Sequence, residues 1–116
     1  MSVKGARKMI TQSVMSWPGV TKHSHRFGGT EYCLGERREI GHIHGDVLVD
    51  IPFPIKVRDE LIAAGRAELH HVRPEIRAVS FFLREPEDVQ RAIELLHLSY
   101  ELAVKQKTRR KPTIES

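Results

Sequence analysis

Apolar positions in the first half of the chain repeat with two different periods. Ala6, Met9, Ile10 and Met15, with Trp17, recur at roughly helical spacing and predict a short helix that Pro18-Gly19 ends. From Val20 the period shortens to two. "VTKHSHRF" (20–27) alternates as a strand does, Gly28-Gly29 is turn material, and "TEYCLG" (30–35) reads as the returning arm of a hairpin. Residues 37–43 and "DVLVDI" (46–51) predict a third and a fourth strand, with His44-Gly45 turning between them. "PFP" (52–54) then stops the sheet, because proline has no N–H to give a ladder, and Pro54 suits the start of a helix through "IKVRDELIAAG". Val57, Leu61 and Ile62 share its apolar face, and Gly65 stands where a helix end wants a residue tolerant of positive φ.

In the second half, "AELHHV" (67–72) and "RAVSFFLR" (77–84) predict two more extended stretches. "EPEDVQRAIELLHLSYELAVKQ" opens on acids, which suit a helix N-terminus, and places Val89, Ile93, Leu96, Tyr100 and Ala103 at helical spacing. His97 lies beside that stripe, at the boundary or on the surface. Tyr100 should pack on the core with its hydroxyl on a polar partner at the rim. The order is therefore a helix, a β-meander, a helix, one or two strands, and a helix. Strands in runs rather than in strict alternation with helices imply an α+β domain: a mainly antiparallel sheet with helices packed mostly on one face and helices at both the N- and C-terminal ends.

At 116 residues the chain has room for one core and not two, and 40% hydrophobic with 29% charged residues is a globular composition. No apolar run approaches the ~20 residues of a membrane span, and no secretory h-region appears, so a cytoplasmic protein that does not enter membranes is expected. The one cysteine, Cys33, rules out an internal disulfide and a cysteine-based zinc site, and reads as a small buried hydrophobe. Net charge is +4, and "KQKTRRKP" (105–112) carries five cations and no acid, so the body is near neutral without it. The expected division is one domain over 1–106 and a flexible basic tail over 107–116. That tail is either solvated or a weak contact for nucleic acid or another acidic surface.

The densest chemistry lies at "REIGHIHGD" (38–46). In an extended chain His42 and His44 project from one face with Ile43 on the other, the geometry by which H-x-H offers two imidazoles to one partner. Glu39 has the opposite parity. It joins the histidines only if an extra residue breaks the register, and Gly41 marks the place for such a bulge. His70-His71 offers a third imidazole, and alternation predicts that only one of the two joins. Three readings stay open for these histidines: structural or surface residues, a polar acid/base site, or metal ligands. If metal is held, His42, His44 and His70 are the candidate ligands, and zinc, iron or manganese the candidate ions. His23 and His25 share a face of the first strand and need not approach the others.

"HRFGGTEYCLGERREIGHIHGD", "VDIPFPIKVRDELIAAGRAELHH" and "VSFFL…EDVQRAIELLHLSYELA" together resemble the small bacterial proteins grouped as the luciferase domain, over roughly residues 17–104. The same domain includes the fungal luciferases, in which an R-E-I-A-H-M-H run resembles residues 38–44 and a later G-x-x-H corresponds to the segment ending at His70. Those enzymes oxidise a hydroxylated pyrone with molecular oxygen and need no separate organic cofactor. The resemblance implies Glu39, His42, His44 and His70 as catalytic candidates, and His25, Arg26, Asp50 and His71 as candidate substrate contacts. It implies a small enolic or phenolic ligand. One of His42 and His44 would be the base, Glu39 would orient a ring nitrogen, and His70 would hydrogen-bond the developing oxyanion. Light emission is not expected of this shorter chain. The ending "AVSFFLREPEDVQRAIELLHLSYELA" is also similar to the end of YjbR-like domains, small α+β modules often described as DNA-binding. The competing expectation is thus a non-catalytic interaction module for nucleic acid or protein, with scattered histidines and gathered cations. Either a monomer or a homodimer is compatible with the pattern.

Overall fold

The computed structural model describes residues 1–25 and 28–110. Its elements in chain order are α1 (Ala6–Val14), β1 (Val20–Ser24), β2 (Thr30–Leu34), β3 (Arg38–His44), β4 (Leu48–Pro52), α2 (Ile55–Ala63), β5 (Glu68–Leu69), β6 (Ala78–Phe82) and α3 (Glu87–Arg110). The six strands form one sheet in the order β1-β2-β3-β4-β6-β5, and every pairing is antiparallel. This is the α+β arrangement that the run of strands implied.

One apolar cluster lies between sheet and helices. Ile40, Ile43, Val49, Ile51 and Val79 supply its strand side; Ile10 and Val14 of α1, Leu61 of α2, and Leu95 and Leu96 of α3 supply its helix side. Burial of these side chains removes apolar surface from water at about 25 cal/mol per Å², which is what holds the three helices on the sheet. Polar contacts tie the ends. Asp46, in the turn after β3, accepts hydrogen bonds from the Gly5 and Arg7 amides at 3.2 and 2.8 Å and so caps α1 from a distance. Asp88 accepts from the Arg84 and Glu85 amides at 2.9 and 3.1 Å at the start of α3. The Tyr100 hydroxyl donates to the Pro18 carbonyl at 2.7 Å, the rim partner expected of it.

Three expectations change. The stretch 67–72 forms only the two-residue strand Glu68–Leu69, because the chain leaves the ladder at His70. The turn between β3 and β4 falls at 45–47, with His44 still in the strand and Gly45 at φ 54°. The last helix continues past residue 106 to Arg110. Lys and Arg are good helix formers, and residues 107–110 extend α3. The rest of the expected tail, 111–116, lies outside the described residues.

Candidate functional site: a histidine ring around a buried aspartate

The site begins with a bulge. Along β2 and β3, Tyr32 faces Gly41 and the next residue, Cys33, faces Glu39, so Ile40 is an extra residue with no partner on β2. The parity of β3 therefore shifts by one. Ile40 and Ile43, three apart, both sink into the core, while Glu39 and His42, also three apart, share the other face, with His42 Nδ1 2.6 Å from Glu39 Oε2. Helix α3 clamps this irregularity. A Cβ on Gly41 would stand 2.6 Å from Leu96 Cδ2 and 3.1 Å from the Asp50 carbonyl oxygen, so a larger residue would require the Leu96 side chain to move. The buried Ser99 hydroxyl donates to the Ile40 carbonyl at 2.8 Å, pairing an acceptor on the unpartnered residue.

Asp50 is the centre. It sits on β4 directly opposite His42 of β3 and Ser80 of β6, and it is 1% exposed. The Ser80 hydroxyl donates to Asp50 Oδ1 at 2.7 Å and in turn accepts the His71 amide at 3.0 Å. With Oδ1 engaged, Oδ2 faces the histidines. His44, His71, His42 and His70 place their Nε2 atoms 3.0, 3.2, 3.3 and 3.6 Å from that single oxygen. The site remains open to solvent on one side: the four side chains range from 12% exposed at His70 to 31% at His71. The His25 ring stacks on His42 with centroids 4.1 Å apart and planes 9° from parallel.

Charge follows from this geometry. Burial disfavours a charged His42, but its hydrogen bonds to Asp50 and Glu39, and then their charges, outweigh it and push the imidazole up to about 9. Burial likewise opposes charge on Asp50, yet hydrogen bonds from His42 and Ser80 hold its carboxyl well below the usual range. His70 moves the other way: burial pushes it below the ordinary histidine value, against the pull of Asp50.

The structure brings together Glu39, His42, His44, His70, His71, Asp50 and His25. Both His70 and His71 reach Asp50, although alternation predicted one. The rule does not apply there, because β5 ends at Leu69 and the next residues turn over the open face of the sheet. Arg26 lies outside the described residues. Asp50, a candidate substrate contact in the sequence, is the hub of the cluster. Donor atoms within 4.8 Å of one another form two sets among the described residues, His42-His44-Asp50 and Asp50-His70-His71, so the carboxylate joins each histidine pair in place of a third imidazole. Ser80 went unrecognised in the sequence, although a hydroxyl in the middle of "AVSFF" is the signal that could have found it. His23 stays apart, exposed and bonded to Thr21 at 2.9 Å.

A helix-backed antiparallel sheet that carries a buried aspartate inside a ring of imidazoles defines an α+β domain with a nitrogen- and carboxylate-rich donor site. The chain belongs to the luciferase domain family, whose model matches residues 37–99, more than half of the chain. That span contains Glu39, His42, His44, Asp50, His70, His71, Ser80 and Ser99, and leaves out His25. No curated protein and no solved structure gives a significant match. Among the described residues no helix is long and apolar enough to cross a membrane.

Proposed function

We propose that the open face of the sheet oxidises a small acidic enol or phenol with the help of a divalent metal held by the histidine–aspartate cluster. The convergence of four Nε2 atoms on Asp50 Oδ2 carries this reading. A carboxylate oxygen accepts about two hydrogen bonds, so the remaining imidazoles must turn lone pairs inward. Inward lone pairs beside a carboxylate call for a cation. Nitrogen and oxygen donors without sulfur suit zinc, iron or manganese, and of these iron and manganese can also pass electrons. Bound there, such an ion would supply Lewis acidity and electron exchange with dioxygen.

The protein's own groups do the rest. Glu39 accepts from His42 Nδ1 and fixes that ring's tautomer, in the manner of the carboxylates that orient metal-bound histidines. Ser80 holds Asp50 in place. His71, the most exposed of the four imidazoles around Asp50, takes the proton from the ligand's acidic O–H. His42 suits that task less, since its two carboxylates keep it protonated at neutral pH when no metal is present. The deprotonated ligand is electron-rich, and dioxygen is the electron acceptor. His25 and, by family resemblance, Arg26 complete the candidate contacts. The gathered histidines support this chemistry over a YjbR-like module for nucleic acid or protein, which would have scattered them.

Elemental analysis of protein purified without a histidine tag should find stoichiometric iron or manganese, and oxygen uptake should follow addition of catechols or hydroxypyrones. Zinc alone would remove the redox part of the reading. No stoichiometric metal and no uptake would overturn it.

A further inference from the structure

We infer that the imidazoles around Asp50 divide by tautomer: His42 and His44 with Asp50 form the ion-binding triad, while His70 is built as an N–H donor that holds an anionic oxygen of the ligand beside it. This rests on the metal reading above and adds the division of labour within it. Which ring nitrogen carries hydrogen is set by the partner of the other one. His42 Nδ1 faces the Glu39 carboxylate at 2.6 Å, so it keeps its hydrogen and a neutral ring turns a lone pair on Nε2 toward Asp50. His70 is wired in the opposite sense. Its Nδ1 accepts the backbone N–H groups of Val72 and Arg73 at 3.2 and 3.0 Å. A backbone amide can only donate, so the neutral ring must carry its hydrogen on Nε2.

Two sets of donors share Asp50, each with two histidines and the carboxylate, and composition alone does not choose between them. The tautomers do. For His70 to ligate through Nε2, its hydrogen would have to move to Nδ1 and both amide bonds would be lost. His42 needs only to give up the Nε2 proton and keeps its Nδ1 bond to Glu39, and its set, His42-His44-Asp50, is the two-histidine, one-carboxylate combination that leaves positions open on an ion. His70 Nε2, 3.6 Å from Asp50 Oδ2, is beyond hydrogen-bond length. Its N–H is therefore not held by a hydrogen bond to the carboxylate and is left for another acceptor. A ligand oxygen that becomes anionic there would accept it.

The direct test is long-range ¹H–¹⁵N NMR of the imidazoles in metal-free protein. His70 should show an unprotonated Nδ1 and a protonated Nε2; the reverse pattern overturns the inference whatever the metal does. The second test uses cobalt(II) as the probe ion and azide as the probe anion. His70→Ala should bind cobalt close to wild type, whereas His44→Ala should lose about a hundredfold or more in affinity. Azide binding to cobalt-loaded His70→Ala should weaken about tenfold, the loss of one hydrogen bond to a charged group. A cobalt loss in His70→Ala as large as that in His44→Ala, or unchanged azide binding, overturns the donor role and leaves the metal reading standing. Failure of the wild-type protein to bind cobalt, iron or manganese overturns the metal reading itself, and the triad with it.

Discussion

On the helix side of the sheet, Ile40, Ile43, Val49, Ile51 and Val79 are shut away from water against side chains of three helices. On the opposite side the same central strands carry Glu39, His42, His44, Asp50 and Ser80, and what meets them is the turn at 70–73. Cys33 and Leu48, also buried, stand on that second side and outside the core cluster. Neighbours along one strand therefore live in different solvents. The apolar side supplies the free energy of folding, and the polar side spends some of it to hold charges and lone pairs close together, which water would otherwise separate.

The sharpest way to test that contrast is to delete a side chain on each side. Ile51→Ala should cost about 2–5 kcal/mol in urea denaturation through lost transfer energy and a cavity. His44→Ala, on the other face, should cost less than about 1 kcal/mol in metal-free protein, as at sites away from the core. Equal losses would mean that the histidines are structural.

Ser99→Ala crosses the divide. It leaves the buried Ile40 carbonyl without its donor, which should cost about 1–3 kcal/mol. It should also weaken cobalt binding, although Ser99 lies under the opposite face, because the bulge that pairs Glu39 with His42 loses its clamp. Rescue of stability in a stabilising buffer without rescue of cobalt affinity would separate positioning from folding. Unchanged cobalt affinity would remove Ser99 from the site's support.

The smallest effect concerns Cys33, buried beside the site, where burial, then a hydrogen bond to Glu31, then the Glu31 and Glu39 charges push its thiol up to about 12. A raised thiol pKa keeps the reactive thiolate scarce until strongly alkaline pH. Disulfide-exchange reagents should therefore label native protein far more slowly at pH 8 than urea-unfolded protein. Rapid labelling of the native state would show that the polar face is looser than its packing implies.

Much of this was legible in the chain. Strand alternation put His42 and His44 on one face, and the glycine between Ile40 and His42 marked the register break that brings Glu39 to them. The bulge was readable to within one residue: Gly41 marks a break in the strand's strict period of two, and the extra residue is its neighbour Ile40. Alternation allowed only one of His70 and His71 to join the cluster, whereas both do, since strand parity holds only as far as the strand does. Within the ending likened to YjbR-like domains, Leu96 and Ser99 of α3 clamp β3: Leu96 lies against Gly41, and Ser99 bonds to Ile40. For Ser80 the one signal was a hydroxyl inside an apolar strand, and periodicity alone does not say what that hydroxyl bonds.

Local order came from the chain's own periodicities, because helix and strand repeats, turn glycines and prolines act over a few residues and are written there directly. The fold class and the H-x-H pair follow from them. Asp50 at the hub, the choice of ring nitrogen at His70 and the support from Ser99 were settled only in three dimensions. Each depends on atoms from strands or helices distant in sequence coming within about 3 Å, a range at which hydrogen bonds, and not sequence spacing, decide what a side chain does.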